Sequence, residues 1–273
     1  MSQRIAIYGK GGIGKSVVAT SLSATFATRG MAVLHIGCDP KSDSAVRLMG
    51  GYRKIPTVLE VLGDDASAVS TEHIIHEGRL GIHCCEAGGP PPGLGCGGRG
   101  VARTLEFLED MEVIDSGNYD AVIFDVLGDV VCGGFAAPLR QGFAEKVFIV
   151  VSEEPMSVYA ANNISRAVEI YQPNGIALGG LVINTRDNAH AEFEMLEAFA
   201  VRLSTRIVGR IPRDPKIMAA ERKGMTVVEF APDAPAANAF MELADSIIAL
   251  EGVALPTPTP LDDEAFYKFM EQW

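Results

Sequence analysis

A strand-like run, RIAIYG (4–9), passes directly into Gly9-Lys10-Gly11-Gly12-Ile13-Gly14-Lys15-Ser16 and then into a helical pattern, KSVVATSLSATFATRG (15–30), which Gly30 stops. No other feature constrains the fold so tightly. The spacing fits G-x-x-x-x-G-K-[ST], and a loop of this kind needs a strand end before it and a helix start after it. Its glycines let backbone N–H groups turn inward on an anion at the positive end of the helix. The same alternation continues along the chain. Strands are expected at 32–39, 79–86, 120–126, 145–151, 176–184 and 205–211, with helices at 100–114, 155–171, 188–203 and 235–250. Continuous apolar strands separated by helices predict an α/β fold whose mostly parallel, doubly wound sheet is covered on both faces. A single domain over 1–252 is expected. The proline-rich, acidic-aromatic tail 253–273 should pack on the surface or on a partner subunit rather than join the sheet.

Composition narrows the class. Hydrophobic residues make up 48% of the 273, enough for a sizeable core, yet no apolar run approaches the ~18 residues of a membrane span. A net charge of -12 disfavours nucleic acid and anionic lipid as partners. The start has neither a basic n-region nor an apolar h-region, so a cytoplasmic location is expected. Five cysteines, an odd number, argue against a disulfide framework and for metal or buried-thiol roles.

Within the loop, Lys15 should neutralise β- and γ-phosphates and Ser16 should ligate Mg²⁺. The plainer alternative is a chance glycine-rich turn, which the strand–loop–helix context disfavours. Two further stretches bring carboxylates to strand ends: GCDPKSDS (37–44), with Asp39 and Asp43, and FDVLGD (124–129), with Asp125 and Asp129. A strand-end aspartate suits water-mediated contact with Mg²⁺, and D-x-x-G resembles a γ-phosphate-sensing switch. Asp39 and Asp129 are the candidates for orienting an attacking water. Taken singly, such residues more often cap helices or sit solvated in loops.

Lys10 is surplus to holding phosphate within one chain. A lysine at this second position of the loop resembles the deviant Walker A ATPases, in which two subunits sandwich two nucleotides face to face. The resemblance implies that Lys10 reaches the partner's phosphates as a finger in trans, and therefore that the protein is a homodimer. The competing reading is a solvated surface lysine.

Cys96 and Cys132 lie in glycine-rich loops, GGPPPGLGCGGRG (88–100) and GDVVCGGFAAP (128–138). Glycine permits close backbone approach and can direct N–H groups at sulfur. A [4Fe–4S] cluster needs about four thiolates, so two per chain fit one cluster shared across a two-fold axis. Zinc is a weaker fit, since no C-x₂-C pair or matching histidine is near. Cys38, Cys84 and Cys85 lie on strand-like runs and read as buried structural thiols.

GKGGIGKS, GCDPKSDS, GCGGRG, DVLGDVVCGGFAAPLR, YAANNIS, IPRD and MTVVEF together resemble the nitrogenase iron protein family over nearly the whole chain. The resemblance implies an ATP-driven electron donor: a homodimer with one bridging [4Fe–4S] cluster held by Cys96 and Cys132, using MgATP and MgADP. It would accept electrons from a ferredoxin or flavodoxin and dock on a larger nitrogenase-like catalytic component. It further implies that Lys10, Lys15, Ser16, Asp39, Lys41, Asp43, Asp125 and Asp129 form the nucleotide and switch machinery. Asn184, Pro212 and Asp214 match the adenine side, and Arg99 and Arg140 the docking face. Arg99 also matches an arginine that some members have ADP-ribosylated.

The branch is a mosaic. GRG after the cluster cysteine and the tail PTPTPLDDEAFYKFM resemble the nitrogenase branch, while GGPPPGLGCGG and VIFDVLGDVVCGGFAAPL resemble the dark-operative protochlorophyllide reductase branch. Met218, Ala236 and Phe240 replace the glutamines and tyrosine usual in the nitrogenase branch. Methylthio-alkane reductase is the favoured branch and tetrapyrrole reductases are the next choice, with nitrogenase kept as an alternative. Two rivals of another class, a partition or positioning ATPase and an iron–sulfur scaffold ATPase, would call for a basic patch or a C-x-x-C pair, respectively.

Overall fold

The computed structural model describes residues 2–63, 69–90, 95–128, 134, 136–140, 142–185 and 190–273, with only the backbone at 190–192. Asp129 and Cys132 lie outside the described residues.

Among the described residues, eight strands form one sheet: β1 (Gln3–Tyr8), β2 (Val33–Cys38), β3 (His76–Glu77), β4 (His83–Glu86), β5 (Ala121–Val126), β6 (Lys146–Val151), β7 (Ala177–Asn184) and β8 (Ile207–Ile211). Their order is β3-β4-β2-β5-β1-β6-β7-β8. All pairings are parallel except that of β3 with β4. The helices are α1 (Lys15–Thr28), α2 (Val46–Met49), α3 (Val58–Leu62), α4 (Thr71–Ile74), α5 (Gly97–Asp110), α6 (Pro155–Tyr171), α7 (His190–Arg202), α8 (Pro215–Glu221), α9 (Val227–Phe230), α10 (Pro235–Ile248) and α11 (Asp263–Met270).

The pleat divides the core. In β1, Ile5 and Ile7 face the layer containing α1, α8, α9 and α10, whereas Ala6 and Tyr8 face the layer containing α3, α5, α6, α7 and α11. The consecutive Cys84 and Cys85 go to opposite layers for the same reason. The expected doubly wound α/β fold is thus present. α1 is buried along most of its length because it lies between the sheet and α10. Among the described residues, no helix is long and apolar enough to cross a membrane.

Two boundaries need correction, and the tail gains detail. The strand expected at 79–86 begins only at His83, because Arg79–Gly81 forms a 3₁₀ turn with Leu80 at φ 58° and Gly81 at φ 71°. The helix expected at 100–114 starts at Gly97, which makes Cys96 its N-cap residue. The tail carries a helix of its own, α11, which buries Phe266 and Phe269 in this chain's core. Asn162 on α6 brackets Leu261 with two 2.8 Å bonds: its amide donates to the Leu261 carbonyl, and the Leu261 N–H donates to its Oδ1. Parallel pairing brings the C-terminal ends of β1, β2, β4 and β5 to one edge of the sheet, where loops from several strands can converge.

Candidate nucleotide and cluster site

The loop between β1 and α1 is built where glycine is obligatory. Gly9 has φ 143°, and a Cβ there would lie 2.3 Å from the Val150 carbonyl oxygen. Gly14, at φ 98°, is the N-cap of α1, and a Cβ there would meet Asn184 Nδ2 at 2.4 Å. Asn184 earns that proximity by donating its amide to the Ile13 carbonyl at 2.6 Å, so it braces the loop from the end of β7. Lys15 is buried and donates from Nζ to the Lys10 carbonyl at 3.2 Å. Lys10 itself is half-buried, and Gly11 and Gly12 are exposed.

A row of polar groups underlies this loop. The register aligns Asp125 of β5, Gly37 of β2 and Glu86 of β4 side by side. Alternation along β5 puts Asp125 on the same side as Ile123, facing α1. There Asp125 accepts hydrogen bonds from Ser44 Oγ at 2.5 Å and from the Ser16 hydroxyl. Burial raises the pKa of Asp125; the Ser44 and Ser16 bonds and the nearby Lys15 and Arg47 charges oppose that rise. A serine opening α1 and a strand-end aspartate in contact form a hard-oxygen pair suited to Mg²⁺.

Glu86 fills the space that Gly37 leaves: a Cβ at Gly37 would lie 2.0 Å from Glu86 Oε2. Glu86 Oε1 accepts from the Ala45 N–H at 2.6 Å, while Oε2 is buried without a hydrogen-bond partner among the described residues. Burial pushes the pKa of Glu86 up to about 8; the Ala45 bond opposes this, and Asp125, Asp43 and Asp39 reinforce it. His35, Ser44 and Glu86 escaped the sequence reading. The signal was there for His35, a lone polar side chain inside the apolar run AVLHIGCD (32–39).

The segment after β2 is tightly turned. Asp39 Oδ1 accepts from the Lys41 N–H at 2.9 Å, and the Asp39 carbonyl accepts from the Ser42 N–H at 2.9 Å. The pKa of Asp39 is raised, chiefly by burial. Lys41 and Asp43 are exposed beside the loop. Ser16, Asp43, Arg47, Tyr52, Lys54 and Glu221 line a groove of ≈ 480 Å³. Arg47 pairs with Glu221 across it, and the Tyr52 hydroxyl donates to the Glu221 carbonyl.

On the side expected to hold adenine, Pro212 is half-buried next to Asp214, the N-cap of α8. The Asp214 carboxylate accepts from the Lys216 N–H at 2.8 Å and from the Ala236 N–H at 3.2 Å, tying α8 to the start of α10. Met218 is 54% exposed, whereas Ala236 and Phe240 are fully buried.

The second half of the site differs in chemistry. Cys96 is exposed at the N-terminus of α5. Gly97 and Gly98 follow it, so neither of the first two helical residues carries a side chain over the helix start, whose N–H groups favour an anion. Gly134 packs so closely there that a Cβ on it would lie 2.2 Å from the Gly98 carbonyl carbon. The residues in place therefore fit an anionic, thiolate-held cluster: an accessible sulfur, a helix N-terminus and a glycine cradle. Cys132, the other expected ligand, and Asp129 are outside the described residues. Arg99 is exposed one turn along α5, and Arg140 pairs with Glu106 of α5 at 3.2 Å. Cys38, Cys84 and Cys85 are buried, and burial pushes their thiols up, away from the thiolate form a metal requires.

Solved structures share this architecture at low identity. The septum site-determining protein MinD from Pyrococcus horikoshii, complexed with Mg-ADP, superposes with a TM-score of 0.73 at 21% identity, covering 93% of this chain and 98% of that one. Cobyrinic acid a,c-diamide synthase from Mycobacterium smegmatis, with bound ADP and magnesium, gives 0.67 at 21% identity, covering 94% and 100%. At such identities the likeness concerns fold alone. Sequence relatives are nearer. A nitrogenase iron protein of Methanococcus voltae is 44% identical over 94% of this chain and 92% of its own length. That of Methanospirillum hungatei JF-1 is 42% identical over 96% and 93%. Nitrogenase iron protein 2 of Methanothermobacter thermautotrophicus is 42% identical over 99% and 98%. The family model described as 4Fe-4S iron sulfur cluster binding proteins, NifH/frxC family, matches residues 3–273, and the chain belongs to that family.

Proposed function

We propose that this chain is the reductase component of a nitrogenase-like system, a homodimer that couples MgATP hydrolysis to delivery of single electrons to a larger catalytic component. The observation that carries this reading is the joining of two sites in one fold: a phosphate loop backed by the Ser16–Asp125 contact, and an exposed Cys96 on a glycine-cradled helix N-terminus. In family context, Cys96 and Cys132 of each protomer would hold the [4Fe–4S] cluster, which supplies one-electron storage when bound. Loop N–H groups and Lys15 bind the phosphates, and Ser16 and Asp125 hold Mg²⁺. Lys10 stabilises charge on the partner's nucleotide, and Asp39 and Asp129 orient the attacking water. Lys41, Asp43 and the segment from Asp125 onward respond to the γ-phosphate and shift the dimer's arrangement. Asn184, Pro212 and Asp214 border the base, and Arg99 and Arg140 face the catalytic component. Residues 1–252 act as the ATPase domain and 253–273 as a strap on it. A ferredoxin or flavodoxin supplies the electron.

For the branch, we favour methylthio-alkane reductase, on the departures at Met218, Ala236 and Phe240. The buried Ala236 and Phe240 offer no polar group to a base. Reduction of dinitrogen is the second reading, favoured by the relatives at 42–44% identity. Anaerobic co-purification, with mass spectrometry of the bound chains and assay of C–S cleavage against dinitrogen reduction, tests both. A captured catalytic component with MgATP-dependent turnover supports the general reading, and ATP-independent turnover refutes it.

A further inference from the structure

A fully buried chain of side chains runs behind the nucleotide loop. Ser23 of α1 lies 2.9 Å from His35 Nδ1, His35 Nε2 lies 2.8 Å from Ser44 Oγ, and Ser44 donates to Asp125 Oδ2 at 2.5 Å. Each of these side chains is at most 3% exposed. We propose that His35 is a positioning residue for Asp125: its Nε2–H donates to Ser44 Oγ and so aims the Ser44 hydroxyl at the carboxylate, which is held in one orientation toward Ser16. This rests on the reading of the loop as a MgATP site.

Hydrogen counting fixes the direction. Ser44 has one hydroxyl hydrogen, and Asp125, as a carboxylate, only accepts. Ser44 therefore gives its hydrogen to Asp125 and must accept from His35. Burial, with the nearby Arg47 charge, lowers the pKa of His35 to about 3, so the ring is neutral and carries one N–H. That N–H is Nε2–H, and Nδ1 accepts from the Ser23 hydroxyl, whose other acceptor in reach is the Ala19 carbonyl at 3.0 Å. An apolar side chain at 35 would leave Ser44 free to turn away from Asp125. Groups that orient a metal-binding carboxylate in this way typically alter metal affinity or activity about 10–100-fold.

The test has two parts. In ¹⁵N-histidine-labelled full-length protein, the His35 ring, assigned by its loss in His35→Gln, should show the neutral Nε2–H tautomer. Binding of ADP should then be measured with and without Mg²⁺. His35→Leu should weaken MgADP binding about tenfold or more while leaving metal-free ADP unchanged. His35→Gln, whose amide can stand in for Nε2–H, should restore most of the loss. Ser44→Ala should show no added effect on a His35→Leu background, because the two act in series. An Nδ1–H or doubly protonated ring in protein that binds MgADP would overturn this inference alone, whether or not the Leu variant folds. Additive effects of the two substitutions, or equal loss of both ADP forms, would do the same. Wild-type protein that binds no MgADP would overturn the nucleotide reading and this inference together.

Discussion

The two halves of the site are built on opposite plans. At the nucleotide end, one chain supplies the groups that hold the loop: Lys15 is 8% exposed and Asp125 3%, and Ser16, Ser44, His35 and Asn184 hold the loop and its carboxylate from beneath. At the cluster end, the chain stops short. Cys96 stands exposed on a helix that opens with Gly97 and Gly98. A buried constellation of this kind can bind nucleotide within one protomer, and in the reading proposed above only the hydrolysis step calls on the partner, through Lys10. As the cluster ligand proposed above, an exposed cysteine on a glycine platform needs more ligands than its own helix supplies, and a second copy of the chain can supply them. The two ends thus call for different kinds of perturbation.

The sharpest separation comes from Cys96→Ala. Loss of one proposed ligand from each half should abolish cluster loading, read as iron content and absorbance near ~400 nm, while MgADP binding persists. If MgADP binding vanished as well, the two ends would not be independent constructions. Next is Lys10→Ala, which should reduce ATP-coupled electron delivery by about 10³-fold or more, the range for a finger acting in trans, with iron content unchanged. Undiminished turnover would make Lys10 a solvated surface charge.

Glu86 gives a pH-dependent break. With a folded pKa of about 8 against the ordinary 4.5, the folded chain keeps a proton that the unfolded chain releases. The associated stability is complete below about pH 4.5 and is lost as pH rises toward 8. Urea titrations should show wild-type stability falling across that window and a flatter profile in Glu86→Gln; parallel profiles would refute the assignment. The smallest effect belongs to the tail. Asn162→Ala removes both bonds to Leu261 and should cost about 1–3 kcal/mol in denaturant unfolding, with nucleotide and iron binding unaffected.

Legibility in the sequence followed the same divide. The loop from Gly9 to Ser16 was readable because its chemistry needs glycines at fixed offsets between a strand and a helix. The parallel sheet was readable because strands buried on both faces are continuously apolar. Boundaries set by one residue's backbone were not: Leu80 in the left-handed region delays β4, and Cys96 starts α5 three residues before the expected helix. The polar row beneath the loop was hidden because Asp125, Gly37 and Glu86 meet only through strand register, across sequence separations that periodicity does not report. Asp214 shows the reverse case. A residue assigned by resemblance to the adenine side also caps α8 and anchors α10, two duties that a motif cannot distinguish.

Native mass spectrometry of anaerobically prepared protein, combined with iron and acid-labile sulfide analysis, tests the central contrast most directly. A nucleotide end whose binding groups come from one chain and a cluster end shared between two chains predict one [4Fe–4S] unit in each two-chain particle, with one ADP able to bind per chain. A one-chain particle retaining the whole inorganic core would contradict it.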